Sequence, residues 1–81
     1  MAKAAFTLPS EAAWPFTFVP PNVSAQITSL SPRQQDRLEA KGRFPKSVKL
    51  GQGRNGRKGR VLKEVVDWNR ARIAERDEEP A

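Results

Sequence analysis

The stretch Ser31-Pro-Arg-Gln-Gln-Asp-Arg-Leu-Glu-Ala-Lys-Gly-Arg-Phe-Pro-Lys-Ser-Val-Lys-Leu-Gly51 carries the pattern that decides the fold. Ser31 is a favourable helix N-cap, because a serine oxygen accepts from a backbone N–H that the first helical turn leaves unpaired. Pro32 suits the first helical position, where its fixed φ is already helical and its missing N–H costs no bond. Gly42 offers the left-handed conformation that ends many helices, so the spacing predicts a helix over 31–41. Leu38 is its only large apolar residue, which leaves Arg33, Gln34, Gln35, Arg37 and Lys41 exposed or nearly so. A helix that serves only packing carries a wider apolar stripe, so this one reads as a contact helix.

Beyond Arg43 the pattern changes. Phe44 and Pro45 break helicity, Ser47 to Leu50 alternates in strand fashion, and Gly51, Gly53, Gly56 and Gly59 crowd the next positions. Val61 and Leu62 return as a second strand, closing a hairpin whose tip, 52–59, carries Arg54, Asn55, Arg57 and Lys58.

Upstream of the contact helix, Pro21 or Asn22 opens a short helix with Val23 and Ile27 on one face, and Thr28, Ser29 and Leu30 form a turn. Residues 1–16 hold Phe6, Leu8, Trp14 and Phe16, interrupted by Pro9 and Pro15, large apolar groups without a helical repeat, and are expected as an extended arm. A short strand is expected near 17–19. Phe6, Trp14 and Phe16 are candidates for a self-association surface; packing of Trp14 and Phe16 back onto the domain is the other reading, and the sequence does not separate the two. Downstream, a closing helix over 63–76 places Val65, Val66, Trp68, Arg72 and Ile73 on its apolar side, with Trp68 in the core. Glu64, Asp67, Arg70 and Glu75 point outward, and 77–81 forms an acidic, frayed tail. The folded domain thus spans 17–76.

The 81 residues include no cysteine and no histidine, which removes disulfides, thiolate zinc sites and the imidazole general base together. The serines have no histidine partner, so an enzyme is not expected, nor is any cofactor or metal. No run approaches the roughly 20 apolar residues of a membrane helix, and nothing resembles a signal peptide, which predicts a protein of the cell interior. A domain this small has little room for a substrate cavity, so its surface carries the function.

That surface is basic. Fifteen Lys and Arg face nine Asp and Glu, a formal charge of +6. Between Arg33 and Arg60 stand ten basic residues and only Asp36 and Glu39 against them, while the rest of the chain is net acidic. Such polarisation predicts a polyanionic partner, nucleic acid ahead of an anionic membrane surface. Residues 51–56, Gly-Gln-Gly-Arg-Asn-Gly, match the dinucleotide fingerprint literally. The motif requires a helix opening at its third glycine, and here Arg57, Lys58, Gly59 and Arg60 follow, so it reads instead as a loop whose backbone can approach phosphates.

The run from Ser31 to Gly51 resembles the signature of the AlpA and excisionase group of MerR-like winged-helix proteins. In that family a serine opens the recognition helix, an arginine-leucine pair sits near its end, and a Gly-Arg-Phe-Pro-Lys-x-Val-Lys-Leu-Gly strand follows. Residues 64–73, Glu-Val-Val-Asp-Trp-Asn-Arg-Ala-Arg-Ile, are similar to the family's closing helix. The resemblance covers 31–73 and has departures. Gln35 and Asp36 stand where the family usually has an apolar residue and then a tyrosine, Pro32 replaces a basic residue, the wing is longer, and the aromatic arm has no counterpart.

The resemblance implies an α+β fold, a small winged helix-turn-helix of short helices and a two- or three-stranded wing sheet. It implies double-stranded DNA as partner, with the helix from Ser31 in the major groove and the hairpin tip in the minor groove or along the backbone. Arg33 and Arg37, four apart, can each give a bidentate pair to guanine and Gln34 one to adenine, with Gln35 and Lys41 on the same helix. Ser31, Arg43, Lys46 and Lys49 suit phosphate contacts, and Arg54, Asn55, Arg57, Lys58 and Arg60 belong to the wing. The implied function is an excisionase, a recombination directionality factor that binds and bends DNA near an attachment site, associates head-to-tail and assists a tyrosine recombinase. An AlpA-type transcriptional regulator of a prophage or integrative element is the alternative, and an RNA-associated basic protein a third reading. The expected location is the cytoplasm, at the nucleoid.

Overall fold

A computed structural model describes residues 7–51 and 57–78. It is a small α+β domain of four helices and a three-stranded antiparallel sheet. A 3-10 helix, Glu11–Phe16, leads into strand β1, Phe18–Val19, and then helix α1, Pro21–Thr28. Helix α2, Pro32–Ala40, follows a short turn; strands β2, Val48–Lys49, and β3, Lys58–Val61, precede the long helix α3, Leu62–Glu78.

The cap residues set α2. Ser31 Oγ accepts from Gln34 N, and Gln34 Oε1 accepts from Ser31 N, a reciprocal capping box. At the other end Gly42 takes φ +72°, its N–H donates to Glu39 O, and Arg43 N donates to Leu38 O. That is the glycine-dependent termination in which the left-handed residue and the one after it each return an N–H to the last turn.

β3 is the central strand, in the order β1-β3-β2. Phe18 pairs with Val61 and Val19 with Arg60 on one side; Val48 pairs with Gly59 and Lys49 with Lys58 on the other. The return strand therefore lies earlier than apolarity alone predicts. Leu62 does not extend it: its N–H donates to Thr17 O and the chain turns directly into α3. Gly59 sits in the crowded middle, where a Cβ would lie 2.9 Å from Leu50 Cδ1 and 3.2 Å from Val19 O. The strand after Gly56 also removes the helix that a dinucleotide-binding loop requires.

The apolar core is small, with Val19, Phe44, Leu62 and Val65 buried. A polar cluster of Ser24, Gln35 and Arg60 is buried beside it. Gln35 Oε1 accepts from Ser24 Oγ (2.6 Å) and Arg60 Nε (3.0 Å), and Gln35 Nε2 donates to Pro21 O (3.1 Å) and Leu30 O (3.0 Å). An amide has two donors and two acceptor sites, and all are filled. Arg60 Nη1 donates to Glu39 Oε1 (2.7 Å) and Pro45 O (2.6 Å), Nη2 to Asp36 Oδ1 (3.2 Å), and the guanidinium lies 4.9 Å from the Phe44 ring centroid. One glutamine and one arginine thus bond α1, the turn, α2, the loop after it and β3 together.

Four further sequence expectations change. The segment before β1 is not extended throughout: Glu11–Phe16 is a 3-10 helix packed on α3, closed by Trp14 Nε1 donating to Pro9 O (2.8 Å). Trp68 is half-buried, set edge-on to Phe44 at 5.0 Å, with its Nε1 donating to Arg43 O (2.8 Å); it clamps the loop after α2 at the margin of the core. Ile73 is 53% exposed because α3 outruns the body it packs on, and every residue from Arg70 to Glu78 is exposed. The helix continues through Glu78, so 77–78 belong to it, while 79–81 lie outside the described residues.

Replacing Gln35 by leucine supplies an apolar side chain of similar size but strands Arg60 Nε and the Leu30 carbonyl without their partner. We expect Gln35→Leu to destabilise the fold by about 1–3 kcal/mol in urea unfolding. Equal or higher stability would show that the buried amide is dispensable.

Candidate nucleic-acid interface

The buried network sorts the charges of the basic segment. Asp36 and Glu39, the two acids between Arg33 and Arg60, are both turned to Arg60, and Asp36 Oδ1 also accepts from Lys58 Nζ at 2.9 Å. Arg33 lies three residues before Asp36 on α2, a spacing that permits a helical ion pair, yet the carboxylate goes to β3 instead. Arg33, Arg37, Lys41, Arg43, Lys46, Lys49 and Arg57 consequently have no acidic partner among the described residues, and all seven are exposed. By contrast, the basic residues of α3 pair with their neighbours: Lys63 with Asp67, Arg72 with Glu75, Arg76 with Asp77.

On α2 the geometry is simple. At 3.6 residues per turn, Arg33 and Arg37 lie about 40° apart on the side away from the buried Gln35, and Lys41, the C-cap residue, follows one turn further on. Burying one face of α2 through Gln35 therefore presents the arginine row on the other. The loop 41–47 continues the basic surface with Arg43 and Lys46, and the hairpin adds Lys49 and Arg57.

Four residues assigned to the interface from sequence change their standing. Gln35 is fully buried and holds α2 in place, so it reads no base. Arg60 is 1% exposed with every guanidinium nitrogen engaged, so it is not a wing contact. Gln34 remains exposed, but its Oε1 is committed to the capping box, which leaves only its amide N–H groups for a partner. Lys58 is bonded to Asp36. Ser31 keeps its hydroxyl proton for donation while its oxygen caps the helix. Arg54 and Asn55 lie outside the described residues, as does Phe6. Of the arm, Trp14 is half-buried and Phe16 is 82% exposed, so the two aromatic residues separate: Trp14 packs and Phe16 does not.

The sequence held a signal for one of these roles. Ser31-x-x-Gln34 is the capping-box spacing, which assigns Gln34 to the backbone. The pairing of Asp36 and Glu39 with Arg60, more than twenty residues away, had no local signal.

On the other side of the loop, Gly42–Pro45 and α3 flank an open groove of about 700 Å³ floored by Phe44 and Trp68. Its rim mixes Glu64, Asp67 and Glu75 with Arg43 and Arg72, and Arg72 stacks 5.3 Å from the Trp68 ring centroid. No helix among the described residues is long and apolar enough to cross a membrane.

Because the Arg33 and Arg37 side chains make no hydrogen bond or ion pair among the described residues, Arg33→Ala and Arg37→Ala should each leave stability within about 0.5 kcal/mol of the parent. Arg60→Ala, which leaves Asp36, Glu39 and Gln35 without their shared partner, should cost about 3–5 kcal/mol. Thermal melts followed by circular dichroism check both, and a reversed order would contradict this division between surface and framework.

No protein-family model matches the chain, no curated protein matches its sequence, and no solved structure matches it.

Proposed function

We propose that the chain is a sequence-specific, double-stranded-DNA-binding protein built as a small winged helix-turn-helix, with α2 as the recognition helix and the β2–β3 hairpin as the wing. The observation that carries this reading is the segregation of charge. The acids of the basic segment are absorbed by Arg60 and Lys58, and an arginine row remains unpaired on the outward face of α2. A helix that crosses on a second helix after a short turn and exposes paired arginines has the shape that enters a major groove. Arg33 and Arg37 are the base-reading candidates, and Lys41, Arg43, Lys46, Lys49 and Arg57 the phosphate contacts. The position where the resembled family usually carries an apolar side chain is Gln35, which is buried, so the polar departure falls inside the fold and not on the reading face.

Within that reading the role is architectural: an excisionase that binds near an attachment site, bends the duplex and assists a tyrosine recombinase without doing covalent chemistry. Phe16, exposed beside β1, is the arm residue that suits contact between neighbouring protomers. The site of action is the nucleoid.

Arg37→Ala should weaken binding to the specific site by about 1–3 kcal/mol and relax its sequence preference, whereas Arg57→Ala should weaken binding to every duplex and reduce the salt slope by about one. Equal losses on specific and random DNA would reassign Arg37 to the backbone. Gel-shift and bending assays across the attachment region and promoter of the encoding element distinguish the roles. Stepwise, bent complexes at the attachment site support the excisionase; binding confined to the promoter favours a transcriptional regulator. Preference for structured RNA over duplex DNA at matched salt overturns the major-groove assignment.

A further inference from the structure

We propose that Asp36 withholds Lys58 from DNA, so that this lysine, although it stands on the wing strand of a DNA-binding surface, is not a phosphate contact. The inference rests on the DNA-binding reading above. Its starting point is a charge-balanced cluster. Arg60 lies between Glu39 and Asp36, and Lys58 completes the set at Asp36 Oδ1, giving two carboxylates and two cations. Arg60 is 1% exposed and fixed by three further bonds to Gln35, Glu39 and Pro45, so it cannot leave. Lys58 is the accessible member: its side chain is 42% exposed and that of Asp36 is 52% exposed.

An exposed pair of this kind is weak in isolation, and a phosphate could compete for the ammonium. The balance is decided by what the exchange leaves behind. Moving Lys58 to a phosphate gains one ion pair and strands a net negative charge on α2, next to Arg37 on the face offered to a polyanion. One contact of the same kind is lost for each gained, and a new repulsion is added. Lys58 therefore stays on Asp36 in the complex. The carboxylate acts as a built-in stand-in for phosphate, which lowers sequence-independent affinity and leaves discrimination to the arginine row.

Titrations of the full chain with a fluorescent random-sequence duplex over a range of salt concentrations test this. Lys58→Met should leave the slope of log K against log salt unchanged. Asp36→Asn, which can still accept from Arg60, should tighten binding about twofold to fivefold and steepen the slope by about 0.9, the contribution of one added phosphate contact. The double variant should lose that steepening, because the effect runs through Lys58. A slope reduced by about 0.9 in Lys58→Met would overturn the inference, since Lys58 would then already be on a phosphate. Equal tightening by Asp36→Asn with and without Lys58 would overturn it too, reducing Asp36 to a simple repulsive charge. The Lys58→Met arm decides even if Asp36→Asn folds poorly, because Lys58 is exposed. Failure of the unsubstituted chain to bind any duplex is a separate result, which removes the DNA-binding reading and this inference with it.

Discussion

The guanidinium of Arg60 and the amide of Gln35 hold this fold together, joined by a 3.0 Å hydrogen bond inside a domain whose described residues include only four buried apolar side chains. A chain of this size has little apolar surface to bury, so the geometry of its helices depends on directional bonds more than on packing. Each group is satisfied: the described residues contain no buried side-chain nitrogen or oxygen without a partner. That completeness matters, because the same polar groups left half-bonded would destabilise the fold instead of specifying it. The network also fixes direction. Gln35 can reach Pro21, Ser24, Leu30 and Arg60 together only if α2 lies across α1 with one particular face inward.

From that constraint the electrostatics of the surface follow. Turning Gln35 inward turns Arg33 and Arg37 outward, and seating Arg60 under α2 draws Asp36 and Glu39 toward it. Asp36, the carboxylate whose spacing from Arg33 permits local helical pairing, is consumed by the framework, and so is Glu39. The polarisation visible in the sequence is thereby sharpened in three dimensions, with an unpaired basic surface on α2 and the hairpin and a self-neutralised α3.

Much of the architecture was legible in the sequence because its signals are local. Ser31, Pro32 and Gly42 mark the ends of α2, Pro21 opens α1, and the alternation around Val48 marks a strand. The misplaced features depend on distant partners. Lys58-Gly59-Arg60 has no strand-like apolar pattern, and it forms the central strand because Arg60 is neutralised by acids from another element and Gly59 admits Leu50 and Val19 closely. Gln35 looks like one more polar residue of an exposed helix until Ser24 and Arg60 are brought to it. The aromatic segment before β1 looks extended because of its prolines, but Pro15 is tolerated in a short 3-10 helix that α3 supports.

Whether a buried Gln35–Arg60 framework presents the outward face of α2 to duplex DNA is decided by a nuclear magnetic resonance titration of the full chain with a short duplex. Backbone amides and arginine Nε–H signals would be followed together. Signals of Arg33, Arg37, Lys41, Lys46, Lys49 and Arg57 should move on binding, while the Arg60 Nε–H and the Gln35 side-chain amide keep their positions and their protection from exchange. Perturbations centred on α3, or loss of protection at Arg60 and Gln35, would contradict this arrangement.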